Sequence, residues 1–541
     1  MSPKVEARVP RGMRDILPEQ MARRQYVMDV IRGVFEEFGF EPLQTPAIEL
    51  EETLKGKYGS EAERLIYSTT YGQGEERLSL RYDLSVPLCR VVAMYPELPK
   101  PFKRYQIAPV WRADRPQKGR FREFYQCDVD TVGSASMLAD AETVAVIYTA
   151  LYRLGFRSFT VRINNRKLLN GIGQFAGVPA SLLKGLYQSI DKLAKIGDEG
   201  VRQELLAVGL PDPIFDAMRK VARLYLQKKL KLEDIPARLA AESIYGPGEG
   251  ESIPFPTDLA PGVSARLVEI LTDVVPGSIE PERVQETAGQ LVSGATPALR
   301  ELLEEKTDLI PEPVVNKLLA LLETGGDNAA ILASLSSQLG AFPEAQEGIR
   351  ELEEMIQYLE LLGVPERYYR VDIAMARGLE YYTGPIYETV VEEANIGSVT
   401  GGGRYDNLIG MFSERSLSAT GTTIGIERII VVMDELNLFP TSLGKTTVQV
   451  LVSVFDRNLI GESVKTASAL RQSGLFTQVY FDPAGLREQI GYAASKGIPV
   501  LVIIGPEEAA QGKLTARNLS TKEQQTIGPE DAVGLIRGWL K

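Results

Sequence analysis

No histidine occurs at any of the 541 positions of the chain. No side chain therefore has an unperturbed pKa near neutrality, and any chemistry must run without imidazole as acid, base or ligand. Cysteine is almost as scarce: Cys89 and Cys127 are the only two, both inside apolar or aromatic runs. That excludes a disulfide framework and a thiolate zinc site, and it points to a reduced, cytoplasmic setting. With nitrogen and sulfur ligands missing, a metal would be a hard ion such as Mg2+ on carboxylates and phosphate. No apolar run is long enough to span a membrane, and the opening "MSPKVEARVPRGMRDILPEQ" lacks the apolar core of a signal peptide. Positive charge is also short, 60 Lys and Arg against 72 Asp and Glu, a net of −12. This argues against a broad nucleic-acid coat but leaves room for a local basic patch.

What is present is ordinary for a globular protein, 44% hydrophobic and 24% charged. The length predicts three or more domains. From Gln20 to Phe38 apolar residues recur at helical spacing up to Gly39, which predicts an amphipathic helix. "FEPLQTPAIEL" and "LSLRYDLSVPL" read as strands. "KRYQIAPVW" and "FREFYQCDVDTV" alternate apolar and polar positions around the turn-rich "RADRPQKGR", the pattern of a long antiparallel hairpin with a basic tip. A helix, "ASMLADAETVAVIYTALYRLGF", and a strand, "SFTVRIN", follow.

The pattern then becomes helix after helix, with one Pro/Gly-rich break at "YGPGEGESIPFPTDLAPG". We read residues 1–164 and 364–436 as two parts of one mixed sheet domain and 165–363 as a helical insertion between them. Residues 437–446 form a linker. Residues 447–541 alternate strands and helices, which predicts a small α/β domain with a largely parallel sheet. The fold class is thus α/β multidomain.

Four stretches carry candidate chemistry. The hairpin holds Lys103, Arg104, Arg112, Arg115, Lys118, Arg120 and Arg122 against one acid, Asp114. Arginines fixed at strand ends suit bidentate grip of phosphate or carboxylate, although a solvated basic surface has the same composition. In "MARGLEYYTGPIYE", Arg377 needs an anionic partner from protein or ligand, because an unpaired buried guanidinium costs several kcal/mol. If that segment is extended, Tyr381 and Tyr382 face opposite ways and at most one shares the arginine's site. Gly401 to Gly403 in "TGGGRYDN" allow close backbone approach to a ligand or another chain. Arg428 in "TGTTIGIERI" stands near a helix start, to meet an anion or to pair with Glu427 or another acid. "GKT" at Gly444 to Thr446 is not a phosphate-binding loop, since it precedes a strand and the leading glycine would fall on Phe439.

In this order the stretches resemble the histidyl-tRNA synthetases, a family of class II aminoacyl-tRNA synthetases, over essentially the whole chain. "VFEEFGFEPLQTPAIE" with Pro46 resembles the first class II motif, "VWRADRPQKGRFREF" the second and "GTTIGIERI" the third. "RGLEYYTG" and "GGGRYD" resemble segments particular to the histidine enzyme. The resemblance implies an antiparallel-sheet catalytic domain, an insertion domain and a C-terminal anticodon-binding domain, with histidine, ATP, Mg2+ and the tRNA for histidine as substrates and partners, and a homodimer. It implies that Arg112 holds the amino-acid carboxylate and the α-phosphate, and that Arg377 contacts the α-phosphate; these two are the catalytic candidates. Asp83, Leu84 and Ser85 of "RYDLS" lie beside the α-amino group, with Gln126 also on the amino acid. Asp130 and Tyr382 bind the imidazole edge, and Tyr381 forms the pocket wall. Arg120 and Arg428 grip the outer phosphates, while Phe124 stacks on adenine with Asp114 nearby. No metal site of protein side chains is implied. The last residues, from Thr446, carry ten Lys and Arg against nine Asp and Glu, so the tail is spared of acid as RNA contact requires.

A non-catalytic alternative resembles the same segments: the histidine-sensing regulatory subunit of ATP phosphoribosyltransferase, which typically lacks the C-terminal domain. A degenerate RNA-binding module is a third reading. The missing histidines, on the order of ten at ordinary usage, fit selection for translation when histidyl-tRNA is scarce, and equally lineage-specific drift or deliberate design. Any activity titration near neutrality is then expected to belong chiefly to the substrate imidazole.

Overall fold

The computed structural model describes residues 6–58, 63–70, 76–179, 182–208, 243–245, 252–254, 310, 312–376, 381–394, 396–441 and 443–540. Arg377 and the helices expected between about Ile235 and Asn328 lie largely or wholly outside these.

The first helix, α1, spans Pro18–Glu37. Proline at its first position loses no hydrogen bond there, and its Val27, Ile31, Val34 and Phe35 are fully buried. Gly39, at φ 76°, turns the chain out of the helix in a region only glycine enters freely. The long hairpin is present: β5 (Phe102–Trp111) pairs antiparallel with β6 (Glu123–Val132) in continuous register from Phe102↔Val132 to Trp111↔Glu123.

Upstream lie β1 (Glu41–Pro42), β2 (Ile48–Leu50), β3 (Ser68–Thr69) and β4 (Leu78–Leu80), the last three forming a small sheet. The strand expected over "LSLRYDLSVPL" stops at Leu80, and Ser85–Met94 is a helix, α2. The Asp83 carboxylate accepts the Val86 amide at 3.1 Å, satisfying a donor that the helix start leaves open. Pro87 falls in the first turn, where proline is tolerated.

After α3 (Met137–Arg153) come β7 (Phe159–Asn165), β8 (Tyr369–Val371), β9 (Pro385–Val391), β10 (Thr400–Arg404) and β11 (Ala419–Gly425). Among the described residues these complete an eight-stranded sheet in the order β1-β5-β6-β11-β10-β9-β7-β8. It is antiparallel except for its two edge pairs, β1 with β5 and β7 with β8.

The period of two divides the sheet's chemistry. On β6, Cys127 and Val129 face the apolar core shared with α1, α3 and the helix after β11, α10 (Ile426–Glu435). Gln126, Asp128 and Asp130 take the alternate positions. Between β7 and β8 lie helices at Arg166–Ala176, Leu183–Ile190, Leu193–Ala207, Glu312–Leu322, Asn328–Gln338 and Pro343–Leu361. Their buried Leu168, Leu186, Val315 and Leu352 belong to the same core cluster as Val27 and Ile147.

The C-terminal unit differs from expectation in one respect. Val450–Val452 pairs parallel with Thr477–Val479 and with Val500–Ile503, as alternation with helices predicts. Two further strands, Leu514–Asn518 and Gln524–Ile527, then form an antiparallel hairpin. Its turn is made locally: the Asn518 side chain accepts the Ser520 and Thr521 amides, and Lys522 adopts φ 65°. No helix among the described residues is long and apolar enough to cross a membrane.

Candidate active site

On the face of the sheet away from α1 and α3, a cavity of about 190 Å³ opens over β6, β9, β10 and β11. Its floor is glycine. An added Cβ at Gly421 would lie 2.1 Å from Asp130 Oδ1, and one at Gly402 2.2 Å from Gly421 O. Gly401, by contrast, has nothing within 4 Å of that position and faces open space. Any larger residue at these positions would fill the cavity or displace its wall.

Acids line it. Asp83 is 2% exposed; its Oδ1 accepts the Tyr58 hydroxyl at 2.9 Å, and its Oδ2 has no partner. Burial pushes its carboxyl above the usual range, opposed by the Val86 amide and the Arg112 charge. Asp130 lies 2.7 Å from the fully buried Arg104 guanidinium and accepts the Tyr405 hydroxyl. Arg104 also donates to Leu84 O at 3.0 Å. A guanidinium this deep requires a counter-ion, and Asp130 is it. Asp128, one alternate position along β6, is 3% exposed, and its Oδ1 is unpartnered. Burial pushes Asp128 up to about 7; Arg104 opposes this and the Asp130 charge adds to it. A buried carboxylate thus reaches the same range as the substrate imidazole, to which any activity titration near neutrality is expected chiefly to belong.

Among the described residues, one cation faces these acids within the cavity wall. Arg112 Nε donates to Tyr82 O at 3.0 Å, and the guanidinium sits 4.3 Å from the Tyr82 ring centre and 5.3 Å from that of Phe124. This hold leaves its remaining donors for an anion. Tyr381 and Tyr382 both line the cavity, with ring centres 4.9 Å apart in an edge contact. The opposite-face expectation fails because the chain is not extended there: β9 begins only at Pro385.

The cavity therefore gathers Asp83, Ser85, Arg112, Gln126, Asp130, Tyr381 and Tyr382 from the sequence-derived candidates. Leu84 is not among them; its side chain is fully buried against Ala108, Val110 and Phe124, and only its carbonyl reaches Arg104. The candidates for ATP other than Arg112 are not on the cavity lining; they lie on the hairpin and at the start of α10. Arg120 binds Asp114 through two donors at 3.0 and 3.1 Å. Arg428, in the first turn of α10, donates to Ser398 O, and its Cγ lies 3.3 Å from where a Cβ on Gly119 would stand. Glu427 is not its partner, being engaged by Arg14 and the buried Arg24. Arg377 lies outside the described residues.

Sequence reasoning missed Asp128, Glu388 and Tyr405, which also line the cavity. For Asp128 a signal existed: Gln126, Asp128 and Asp130 share one face of a strand by simple alternation.

The family model for histidyl-tRNA synthetase matches residues 12–237 and 264–429, and that for an anticodon-binding domain matches residues 449–539. The histidine–tRNA ligase of Gloeobacter violaceus is 38% identical over 560 aligned positions, covering 98% of each chain. That of Aeropyrum pernix is 36% identical over 535, again covering 98% of each. The crystal structure of histidyl-tRNA synthetase from Nostoc sp. PCC 7120 is similar with a TM-score of 0.70 at 28% identity, covering 99% of this chain and all of that one. The expected class II fold, an antiparallel-sheet catalytic domain with a C-terminal anticodon-binding domain, is the one present. Full-length likeness in sequence and structure, around a cavity built from the segments particular to the histidine enzyme, identifies the chain as a member of the histidyl-tRNA synthetase family.

Proposed function

We propose that the chain is a histidine–tRNA ligase. It activates histidine with ATP to histidyl-adenylate and pyrophosphate, then transfers histidine to the 3′-terminal adenosine of its tRNA. The observation that carries this reading is the cavity: amino-acid-sized, floored by glycine, acidic on one side and bounded by the anchored Arg112 on the other.

In this reading Asp83, Ser85 and Gln126 receive the α-amino end, while Asp130 and Tyr382 read the imidazole. Tyr381 forms the wall. Arg112 takes the carboxylate and, with Arg377, the α-phosphate. Arg120 keeps Asp114 on two donors and offers the rest of its fork to the outer phosphates, joined by Arg428. Phe124 stacks on adenine beside Asp114, and Mg2+ enters with ATP as part of the substrate.

The chemistry asks little of a base. A carboxylate oxygen attacks the α-phosphorus in line and pyrophosphate leaves, so the nucleophile arrives already deprotonated. The protein supplies position and fixed positive charge where two anions meet. In the second step the tRNA hydroxyl attacks the adenylate carbonyl, with an adenylate phosphate oxygen as the proposed base. A pocket that hydrogen-bonds a polar ring rejects analogues that leave its groups unpaired.

The remaining assignments belong to the same reading. Residues 1–164 and 364–436 are the catalytic domain, 165–363 the insertion, 437–446 the linker and 447–541 the anticodon-binding domain. The enzyme is a cytoplasmic homodimer. Support for the dimer is the exposed Ile48, Leu50 and Met94 beside the first class II motif, apolar groups a monomer gains nothing by showing. Histidine-dependent exchange of pyrophosphate into ATP tests the whole: a folded protein that performs none is a sensor, as the regulatory alternative requires, and not a ligase.

A further inference from the structure

Among the described residues, five buried side-chain oxygens on the cavity lining lack a hydrogen-bond partner: Asp83 Oδ2, Gln126 Oε1, Asp128 Oδ1, Asp130 Oδ2 and Thr422 Oγ1. Thr422 Oγ1 belongs to a hydroxyl that can also donate, and Asp130 Oδ2 lies against Arg104, which leaves Asp83 Oδ2, Gln126 Oε1 and Asp128 Oδ1 as acceptors with no cation of their own. All three residues line the same space. Asp130 differs, with one oxygen on Tyr405 and the other against Arg104. A buried acceptor left unmade is costly, and two of these belong to carboxylates. The complement of three acceptors with excess negative charge is one group carrying three N–H donors and a positive charge, an ammonium. A neutral ring N–H supplies one donor, and a hydroxyl one.

The geometry points to Asp128 as a substrate-binding residue that completes, with Asp83 and Gln126, a three-acceptor cradle for the α-ammonium group of the bound amino acid. This rests on the ligase reading above and extends it. Across the sheet Asp128 stands in register with Thr423, and Thr423 with Gly401, the glycine that faces open space. The space over Gly401, beyond the Thr423 side chain that hydrogen-bonds Asp128, is therefore open, whereas the space over Gly421 is filled by Asp130 itself.

The charged and titratable groups around Asp128 are Arg104 of β5, Asp130 of its own strand, Asp83 before α2 and Glu388 of β9. Arg112, Tyr381, Tyr382 and Tyr405 line the same cavity. Arg104, the nearest cation, is shared with Asp130. Asp128 is thus partly protonated near neutrality when the cavity is empty, and an arriving ammonium favours its ionised form. Binding of the ammonium near pH 7 then displaces a proton from Asp128, in addition to whatever the ligand's own ring gains or loses.

Two probes separate ammonium from ring: histidinol, which has both, and 3-(imidazol-4-yl)propionate, which has the ring alone. Calorimetric titration of full-length wild type and Asp128→Asn gives their affinities. Histidinol should weaken about tenfold or more in the variant, as loss of a hydrogen bond to a charged group implies, while the propionate should keep its affinity. Equal weakening of both, or none for histidinol, overturns the assignment. A second test reads protons rather than affinity, and because one ligand is compared on two proteins its ring's own titration cancels. In buffers of different ionisation enthalpy at pH 7, histidinol should release more protons on binding to wild type than to Asp128→Asn, and equal release overturns the cradle. Wild-type protein without histidine-dependent exchange refutes the ligase reading instead; with exchange intact, a contrary result bears on Asp128 alone.

Discussion

Replacing Asp128 by Asn should make the empty protein more stable, although it removes a carboxylate from the site. In the fold, burial pushes Asp128 up to about 7, against 3.8 for an ordinary aspartate. Between those values the folded state binds more protons than the unfolded chain, so stability falls as pH rises through the window and levels off above it. A gap of that size corresponds to about 4 kcal/mol. Asp130 titrates in the same pair, so the gain from Asp128→Asn is expected at about 2–4 kcal/mol by pH 8, shrinking to a constant offset near pH 4. The chain has two tryptophans, Trp111 at the end of β5 and Trp539 in the last helix. With Trp539 replaced by Phe, Trp111 fluorescence reports the catalytic domain alone, which keeps urea unfolding from mixing two units. Unfolding of both proteins between pH 5 and 8.5 at fixed salt makes the comparison. A difference that does not change with pH, or a variant that loses ground as pH rises, refutes the reasoning.

Three further outcomes are expected. Arg404→Met strands the fully buried Asp140, which burial beside Arg404 holds at about 6; urea unfolding should show a loss of about 3–5 kcal/mol at pH 8, smaller near pH 5 where the carboxyl takes a proton. Gly421→Ala drives a methyl to within 2.1 Å of Asp130 Oδ1; it should cost about 1–3 kcal/mol of stability and raise the KM for histidine in pyrophosphate exchange, and an unchanged KM would contradict the tight floor. Arg377→Ala should abolish most adenylate formation while weakening tRNA binding, read by filter retention, much less; equal losses would remove Arg377 from the phosphate.

Much of this fold was legible because a long alternating hairpin and long amphipathic helices write their periods plainly. Phe102–Trp111 and Glu123–Val132 needed only the rule of two, and Pro343–Leu361 only the rule of three and four. What failed was short and apolar. "LSVPL" has too few residues for either period to emerge, and the Asp83 carboxylate on the Val86 amide, which satisfies a donor at the start of Ser85–Met94, is a contact no composition announces. The C-terminal hairpin was hidden for a related reason: its turn is built by Asn518 and by the positive φ of Lys522, without the glycine pair that usually advertises one. The rule of two did not reach Tyr381 and Tyr382, because they precede the strand that begins at Pro385, and both line the cavity. The site residues that could be named came from motif resemblance, whereas Asp128 needed only alternation from Gln126 and Asp130.

The cavity is a place where the fold has not been made as stable as it could be. Asp83 Oδ2, Gln126 Oε1 and Asp128 Oδ1 each carry the cost of desolvation with nothing in return until a donor arrives. Filling these positions with apolar side chains would relieve that cost and remove the discrimination, because selectivity for a polar amino acid is the penalty imposed on ligands that fail to pair the same atoms. The glycine floor works in the same direction: Gly401 gives up side-chain packing to leave the space the ligand fills. Titration enters by the same route. A chain without a single histidine still places a group near neutrality, by burying a carboxylate beside a second one and giving the pair one shared arginine. Proton linkage on binding therefore depends on the burial of that pair, and opening the cavity to water by enlarging its rim should lower the titration of Asp128 toward ordinary carboxylates and with it the discrimination.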